Sequence, residues 1–438
     1  MTQRITILGT GYLGATHAAC MAELGFEVLG MDVDEAKVAA LTEGRVPFYE
    51  PELEPLLRKH VESGQLRFTT SHREAAEFGD IHFLCVGTPQ RKGEFAADMT
   101  YVDGVVDGLA PHLTRPCLLV GKSTVPVGTA ERLAERIASL APSAEVELAW
   151  NPEFLREGFA VEDTLKPDRL VVGVSSERAE AILREVYAQP IAAGTPFLVT
   201  DFPTAELVKV AANAFLATKI SFINAMAEVC EHAGADVSKL ADALGHDARI
   251  GRKFLNAGIG FGGGCLPKDI RAFMARAGEL GADQALTFLR EVDAINMRSR
   301  NRTVDVAREC CDGSFIGKRV AVLGAAFKPN SDDIRDSPAL NIAGQIQLQG
   351  GQVTVYDPKA IENARRLFPT LDYADSAVAA CQGAHVVLHL TEWQEFRDMD
   401  PAVLTEVVNQ RRLIDGRNAL DVEKWRAAGW TYRGLGRM

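Results

Sequence analysis

The feature that most restricts the fold is a glycine-rich turn between two short apolar runs. Ile5–Leu8 leads into Gly9-Thr10-Gly11-Tyr12-Leu13-Gly14, a helical pattern follows, and a second apolar run ends at Asp32. The order strand, glycine turn, helix and strand is typical of a dinucleotide-binding unit in a doubly wound α/β fold. In this pattern Gly9 permits the turn, Gly11 lets the backbone approach a pyrophosphate, and Gly14 allows close helix packing. Asp32 stands where an acid binds the ribose hydroxyls and repels a 2′-phosphate, so the sequence predicts NAD rather than NADP.

Strand and helix patterns continue to alternate after this unit. Strand patterns cover residues 81–86, 117–121, 146–149, 170–174 and 197–200. Thr88, Ser123 and Thr124 lie in the loops after two of these strands, and open α/β sheets bind ligands at their strand ends. We therefore expect these hydroxyl groups to face the nicotinamide side of a cofactor, although helix capping is an equally common role for such residues.

The middle of the chain has a different pattern. Residues 204–233 contain no proline or glycine and show helical periodicity, and residues 284–308 form another helical stretch. A helix of the first length suggests a connection between domains and an oligomer interface. A second α/β unit begins at Arg319. The predicted fold class is α/β, with two Rossmann-like doubly wound domains (1–200 and 313–438) joined by an all-helical middle domain (201–312) with a long connecting helix.

A second glycine-rich stretch carries the most reactive group. Residues 258–269 read Gly-Ile-Gly-Phe-Gly-Gly-Gly-Cys-Leu-Pro-Lys-Asp, and Pro267 suits the first turn of a helix. Cys265 would then lie at a helix N-terminus beside Lys268, and both features favour the reactive thiolate. Asp269 follows at i+4 and can share a helical face with the cysteine. The pattern indicates covalent chemistry; the alternative is a buried structural cysteine after a flexible loop.

Other candidate groups come in pairs. Glu153 and Glu157 follow Asn151-Pro152 at a strand end, on what we expect to be a short helix, where paired carboxylates can serve acid/base chemistry. Lys209 and Asn213 are i, i+4 neighbours in the long helical stretch. Solvated carboxylates and an exposed lysine beside a satisfied amide are the alternatives.

Basic residues also follow strands of the second α/β unit. Lys328, Arg335 and Arg417 occupy such places, which suits an anionic ligand, although each alone could be a surface residue.

Composition excludes several classes of function. The net charge of −12 argues against a general nucleic-acid or anionic-membrane surface. The eight cysteines show neither C-x-x-C pairs nor zinc-ligand spacing, which predicts no metal site and a reducing cytosol. The N-terminus leads directly into a strand, so we expect no signal peptide, and no apolar run predicts a membrane span.

Taken in order, these motifs resemble the UDP-glucose/GDP-mannose dehydrogenase family over nearly the whole chain. The resemblance rests on the 9–14 turn, Lys122-Ser123-Thr124-Val125-Pro126, Asn151-Pro152-Glu153-Phe154, Lys209 with Asn213, residues 262–269, and Phe327-Lys328. It implies oxidation of a nucleotide sugar at C6 from alcohol to carboxylate, with two NAD⁺ and no metal.

The resemblance also implies roles for individual residues. Those that would be catalytic are Cys265, Lys209, Asn213, Asp269, Thr124 and Glu153. Those that would bind the cofactor are Gly9, Gly11, Tyr12, Leu13, Gly14, Asp32, Lys37, Thr88, Ser123, Thr124, Glu157, Lys268 and Arg335. Those that would bind the substrate are Glu153, Phe154, Leu155, Arg156, Lys209, Asn213, Arg249, Phe254, Leu255, Asn256, Gly258, Phe261, Gly262, Cys265, Phe327, Lys328 and Arg417.

The resemblance favours one branch of the family and an oligomer. Asp247-Ala248-Arg249-Ile250-Gly251 and Lys253-Phe254-Leu255-Asn256 favour UDP-glucose as substrate. Arg249 resembles an arginine donated from a neighbouring subunit, which implies at least a homodimer. Gly264 replaces a serine and Asn256 a lysine found in some relatives.

Several alternatives stay open at this point. Sister enzymes act on GDP-mannose or on UDP-N-acetylhexosamines. A single-step NAD dehydrogenase of the 6-phosphogluconate or 3-hydroxyacyl type needs neither the cysteine nor a third domain. A non-enzymatic NAD-binding regulator would have no reason to keep a thiol, a lysine, an amide and an aspartate.

Overall fold

The computed structural model describes residues 3–437. The chain divides into two compact units: one comprises the chain up to Ala212 with Arg271–Leu280, and the other comprises Asn213–Ile270 with the chain from Gly281 onward. The predicted domain limits at residues 200 and 312 stay a prediction.

The first unit contains an eight-stranded sheet. Its strands are β1 (Arg4–Leu8), β2 (Glu27–Met31), β3 (Leu66–Thr69), β4 (Ile81–Leu84), β5 (Cys117–Gly121), β6 (Val146–Trp150), β7 (Leu170–Val174) and β8 (Phe197–Thr200). Its helices are α1 (Tyr12–Glu23), α2 (Glu35–Thr42), α3 (Leu53–Glu62), α4 (His72–Phe78), α5 (Thr100–Leu109), α6 (Thr129–Leu140), α7 (Ala160–Leu165), α8 (Glu177–Val186) and α9 (Ala188–Ala192).

The strand order in this sheet is β3-β2-β1-β4-β5-β6-β7-β8, and only the β6–β7 pair is antiparallel. The first six positions are the order of a Rossmann fold. Apolar clusters cover both faces of the sheet, with Ile5 and Ile7 in one cluster and Leu8 in the other. The strands are apolar at consecutive positions because both of their faces are buried.

Four helices lie between the two α/β parts of the chain. They are α10 (Phe202–Ala233), α11 (Val237–Gly245), α12 (Leu266–Glu279) and α13 (Phe288–Cys310). The predicted long helix is therefore confirmed as α10. Two short 3₁₀ turns occupy Ala110–His112 and Asp283–Leu286.

Among the described residues, α10 is the one helix whose length and apolar composition would allow it to cross a membrane. In its most apolar 18-residue window, 44% is buried within the protein. A buried core helix passes the same test, so this is weak evidence for a membrane span.

The second sheet repeats the topology of the first. Its strands are β9 (Arg319–Leu323), β10 (Gln352–Tyr356), β11 (Asp372–Tyr373), β12 (Val386–His389), β13 (Arg412–Asp415) and β14 (Thr431–Gly434). Its helices are α14 (Pro338–Leu348), α15 (Ile361–Leu367), α16 (Ala377–Ala380), α17 (Gln394–Asp398), α18 (Pro401–Thr405) and α19 (Val422–Ala427). The order β11-β10-β9-β12-β13-β14 is parallel throughout and is again that of a Rossmann fold. The predicted fold class is thus confirmed.

Candidate active site

The three glycines of the N-terminal turn have different surroundings. A Cβ on Gly9 would lie 2.5 Å from Val86 Cγ1, and one on Gly14 would lie 1.8 Å from the Gly9 carbonyl oxygen. A Cβ on Gly11 would meet nothing within 4 Å. Packing therefore excludes side chains at the first and third glycines, while the open space over Gly11 fits the approach of a dinucleotide pyrophosphate.

The predicted ribose-binding acid lies at the end of β2. Asp32 is buried and accepts hydrogen bonds from Thr10 N and Lys37 Nζ, at 2.8 and 2.9 Å. Burial alone would raise the pKa of the Asp32 carboxyl, but these donors and the Asp34 N–H outweigh it and lower the pKa. The structure thus brings together Asp32 and Lys37 and places a carboxylate at the end of β2, and the contact of Asp32 with a ribose stays a prediction.

Two predicted cofactor hydroxyls bond to the protein backbone. Thr88 Oγ1 donates to the Thr124 carbonyl at 2.7 Å, and Ser123 Oγ donates to the Val86 carbonyl at 2.7 Å. Both bonds join the loops that follow β4 and β5. Thr88 and Ser123 therefore shape this edge of the sheet, and contacts to a cofactor stay a prediction for them and for Thr124.

The segment 151–159 is a loop, so the predicted short helix through Glu153 and Glu157 is wrong. Glu153 Oε2 accepts the Leu155 N–H at 2.6 Å, which holds the backbone in a local turn. The other oxygen, Oε1, lies 3.0 Å from Lys209 Nζ of α10. Both side chains are largely buried, at 14% and 6% exposed.

The rest of this segment lies around that ion pair. The Phe154 ring lies 5.6 Å from Lys209 Nζ. Arg156 is exposed and forms an ion pair with Asp163 at 2.6 Å. The charge of Glu157 contributes to a raised pKa of Tyr12, behind the larger effects of burial and of Glu50. Leu13 packs against the core of the sheet.

A buried lysine anchors the start of the same segment, and sequence reasoning assigned it no role. Lys122 Nζ donates to Asn151 Oδ1 at 3.0 Å, and the same oxygen accepts the Tyr187 hydroxyl at 2.6 Å. Asn151 Nδ2 in turn donates to the Val171 carbonyl. Burial lowers the pKa of Lys122 to about 8. No local pattern announces the network, because its members come from four different segments.

The cysteine of the second glycine-rich stretch lies at a helix start, as predicted. Cys265 is exposed, directly precedes α12, and its carbonyl accepts the Asp269 N–H at 2.9 Å. By contrast, Cys20, Cys85, Cys117, Cys230 and Cys381 are buried. The exposed thiol at a helix N-terminus suits nucleophilic chemistry.

Asp269 has two charged or polar donors in the same unit. Asn213 Nδ2 donates to its Oδ2 at 2.6 Å, and Lys268 Nζ lies 2.6 Å from its Oδ1. Asp269 and Asn213 are 2% and 8% exposed. The structure therefore brings together three predicted residues, and it places the Lys268 ammonium on a carboxylate. Lys209 and Asn213 are one turn apart on α10.

The glycines before Cys265 make room for neighbouring groups. A Cβ on Gly262 would lie 2.2 Å from the Asp336 carbonyl oxygen, and one on Gly263 would lie 2.8 Å from the Phe327 ring. A Cβ on Gly264 would meet the end of the Arg335 side chain at 2.2 Å. An arginine terminus can move, so a serine at this position would need no change of backbone.

Two residues of α13 hold this stretch, and sequence reasoning missed both. Asn296 accepts the Phe261 N–H at 2.7 Å and donates to the Phe261 carbonyl at 3.0 Å. Arg300 donates to the same carbonyl at 3.0 Å and pairs with Asp336 at 2.7 Å. Both side chains are almost fully buried. The sequence signal for this role is that Asn296 and Arg300 are polar residues four apart in a helical stretch, so they share one face.

The residues between 254 and 258 that were predicted to bind the nucleotide sugar differ in their surroundings. Phe254 is partly exposed and has φ +66, an uncommon backbone for a residue with a Cβ, whereas Leu255 is buried. Asn256 accepts a bond from Arg252 at 2.7 Å. Gly258 packs against the Gly416 carbonyl.

The predicted basic residues have internal partners. Arg417 donates to the carbonyls of Leu390, Gly260 and Phe327 at 2.8, 3.1 and 3.0 Å. Lys328 Nζ lies 5.5 Å from the centroid of the Phe327 ring. Arg335 pairs with Asp333 at 2.6 Å, and Arg249 pairs with Asp247 at 2.6 Å with its side chain 89% exposed.

Within residues 3–437 no group of three or more His, Cys, Asp or Glu side chains is placed to hold a metal ion.

Three family models match successive parts of the chain. They describe the NAD binding domain (residues 3–191), the central domain (203–298) and the UDP binding domain (321–422) of the UDP-glucose/GDP-mannose dehydrogenase family. The first model supports NAD as the cofactor of this chain.

Relatives match over almost the full length. The chain is 41% identical to a UDP-glucose 6-dehydrogenase of Rhizobium meliloti, with 99% of both chains covered. It is 42% identical to the UDP-glucose 6-dehydrogenase TuaD of Bacillus subtilis, with 99% of this chain and 93% of that protein covered. A solved UDP-glucose dehydrogenase from Pyrobaculum islandicum superimposes with a TM-score of 0.91 at 37% identity, covering 100% of this chain and 98% of that one. The chain belongs to the UDP-glucose/GDP-mannose dehydrogenase family.

Proposed function

We propose that the chain is a UDP-glucose 6-dehydrogenase, which oxidises C6 of UDP-glucose from alcohol to carboxylate and forms UDP-glucuronate. The observation that carries the proposal is the exposed Cys265 at the start of α12, four residues before a buried carboxylate held by Asn213. The identity of about 40% with UDP-glucose 6-dehydrogenases over the full length supports the choice of substrate.

Cys265 would serve as the nucleophile between two oxidations. When bound, NAD⁺ supplies the hydride acceptor, once for the alcohol and once for the adduct described next. The Cys265 thiolate adds to C6 of the aldehyde and forms a thiohemiacetal, whose oxidation gives a thioester. Water hydrolyses the thioester to the carboxylate and restores the thiol. The covalent bond would keep the aldehyde from leaving between the two steps.

Lys209 and Asn213 would stabilise the oxyanions that form when thiolate or water adds to C6. An ammonium and an amide N–H in a buried setting stabilise such charge more strongly than they would in water. The burial of both side chains, one turn apart on α10, supports this role.

Carboxylates would accept and donate the protons, because no histidine occurs in residues 122–126, 151–158, 209–213 or 258–269. Asp269 would hold or activate the hydrolytic water, and Thr124 with Glu153 would assist through a bound water. The ion pair between the Lys209 ammonium and the Glu153 carboxylate supports a shared proton network in the first unit.

The remaining predicted residues would bind the two nucleotides. Phe154, Leu155 and Arg156 would form part of a loop over the sugar. Residues 254–258, Phe261, Gly262, Phe327, Lys328 and Arg417 would meet the sugar, diphosphate and uracil, while Glu157, Lys268 and Arg335 would bind the cofactor.

We also propose a homodimer or larger homo-oligomer. Phe215, Phe222 and Val229 of α10 are 67%, 47% and 56% exposed and recur every seven residues, so they share one helical face. The same face of α10 in a second copy of the chain would cover these exposed apolar side chains. Arg249, with its exposed side chain, would then be available to a neighbouring subunit. A cytosolic location and the three domains 1–200, 201–312 and 313–438 complete the proposal.

The test is the yield of NADH per nucleotide sugar consumed, followed by absorbance with UDP-glucose and GDP-mannose in parallel. We expect about two NADH per UDP-glucose. One NADH with release of free aldehyde would overturn the four-electron route. Turnover of GDP-mannose alone would keep the mechanism and move the chain to the other branch of its family, which is the second candidate function.

A further inference from the structure

A buried carboxylate outside every predicted site joins two parts of the first unit. Glu50 lies between α2 and α3 and is 6% exposed. Its Oε2 accepts the Gly158 N–H at 2.6 Å and the Tyr12 hydroxyl, and its Oε1 accepts the Ala160 N–H at 2.7 Å. Three donors on one carboxylate make a strong, charge-assisted cluster.

These donors come from two functional segments. Tyr12 is the first residue of α1 and follows Gly11, over which the dinucleotide site is open. Gly158 lies near the end of the loop that begins at Asn151 and carries Glu153, and Ala160 begins α7. The Gly158 N–H also lies 3.2 Å from the Tyr12 hydroxyl oxygen. Glu50 thus connects the dinucleotide turn to the end of the catalytic loop.

The loop is restrained internally by the bond from Leu155 N–H to Glu153 and by the ion pair between Arg156 and Asp163 of α7. It contains no helix or strand, and its first residue, Asn151, is held by Lys122, Tyr187 and the Val171 carbonyl. The bonds to Glu50 provide the anchor at the opposite end. Fixed at both ends, the loop places Glu153 against Lys209.

We propose that Glu50 is a positioning residue that couples the dinucleotide turn, through Tyr12, to the loop carrying Glu153; the catalytic part of this inference rests on the proposed function. Because coupling is reciprocal, a cofactor bound at the turn stabilises the placed loop, and the placed loop strengthens cofactor binding. Burial and the Glu50 charge raise the pKa of Tyr12, so its hydroxyl remains a donor.

The experiment is a double-mutant cycle with Glu50→Gln and Tyr12→Phe in the full chain. The first readout is the dissociation constant for NADH in the absence of sugar. The others are kcat and the KM for NAD⁺, both measured at saturating UDP-glucose. We expect each variant to weaken NADH binding and to lower kcat about tenfold or more, because a hydrogen bond to a charged group is lost. The double variant should lose less than the product of the two single losses, since both changes break one cluster.

Tyr373→Phe is the matched control, because it also removes one phenolic hydroxyl. This hydroxyl donates to the Phe368 carbonyl at 2.9 Å. It should leave NADH affinity and kcat unchanged. A lower melting temperature for Glu50→Gln with unchanged NADH affinity and kcat would overturn the proposal, and so would multiplicative effects in the cycle. If Glu50→Gln does not fold, Tyr12→Phe against Tyr373→Phe still decides it. Failure of the wild type to oxidise UDP-glucose would contradict the proposed function and leave the NADH-binding cycle as an independent test.

Discussion

Among single residues, Asp269 is a buried carboxylate with two fixed partners in the second unit. Asn213 and Lys268 each donate to a different oxygen of this buried carboxylate. Two fixed donors hold this carboxyl group in one orientation. A carboxylate fixed in this way suits activation of a water molecule during thioester hydrolysis.

Replacing Asp269 should separate oxidation from hydrolysis. In Asp269→Asn we expect a burst of about two NADH per active site, followed by a slow phase, because the thioester forms but is hydrolysed slowly. Stopped-flow absorbance measures both phases. Asp305→Asn, at an exposed carboxylate that pairs with Arg308, should behave as the wild type. A linear time course for Asp269→Asn at a reduced rate would contradict the role in hydrolysis.

Lys122 predicts a pH dependence of stability. Burial lowers the pKa of its ammonium from 10.5 to about 8, so between these values the unfolded chain binds the proton and the folded chain does not. Stability from this group therefore rises as pH increases through that window, by about 3 kcal/mol in all. Below about pH 8 both states bind the proton and the contribution is constant.

The measurement is urea unfolding of the wild type and of Lys122→Met at about pH 8 and about pH 10. As pH rises, the unfolding free energy of the wild type should increase relative to that of Lys122→Met. An identical pH dependence for the two proteins would show that Lys122 is not neutral in the folded state at high pH.

Among the elements, α13 holds the glycine-rich turn that precedes Cys265. Asn296 bonds both polar groups of the Phe261 backbone, and Arg300 adds a bond to its carbonyl and an ion pair to Asp336. Gly260 has φ +90, and a Cβ there would lie 2.3 Å from Asn296 Oδ1. The glycines of this stretch therefore serve close packing as much as flexibility.

Loss of Asn296 should loosen the turn that carries Cys265. Asn296→Ala leaves the buried Phe261 N–H without its acceptor, at a cost of about 1–3 kcal/mol. We expect a lower melting temperature together with a lower kcat and slower alkylation of Cys265 by iodoacetamide. Ser221→Ala is the control: it removes a buried hydrogen bond to the Val292 carbonyl at 2.7 Å. It should lower the melting temperature and leave kcat and the alkylation rate unchanged. Equal kcat values for the two variants would argue against a positioning role.

The exposed face of α10 makes a prediction about assembly. Phe222→Lys places a charge in the middle of the apolar row and should shift the protein toward the monomer, because burying an unpaired charge is costly. Light scattering during gel filtration measures the mass. Leu348→Lys, at an apolar residue that is 88% exposed on α14, is the control and should not change it. A wild type that is already monomeric would contradict the proposed dimer.

For the molecule as a whole, the sequence predicted what local signals encode. The glycine turn, the apolar strands, α10 and the helix start after Cys265 each depend on neighbouring residues, and the structure has all of them. Glu50 could not be found in this way, because its partner Gly158 lies 108 residues away. The expected helix through Glu153 was wrong for a local reason: the Leu155 N–H donates to the Glu153 side chain two residues earlier, and this turn replaces the helical pattern.

The covalent role of Cys265 is tested most directly by mass spectrometry of its peptide, from Asp269→Asn enzyme quenched in acid during turnover of UDP-glucose with NAD⁺. We expect a Cys265 peptide that carries a UDP-hexuronyl group as a hydroxylamine-sensitive thioester. The adduct should be absent when NAD⁺ is omitted. Formation of two NADH with an unmodified Cys265 peptide, or full activity in Cys265→Ala, would contradict a covalent intermediate on this thiol.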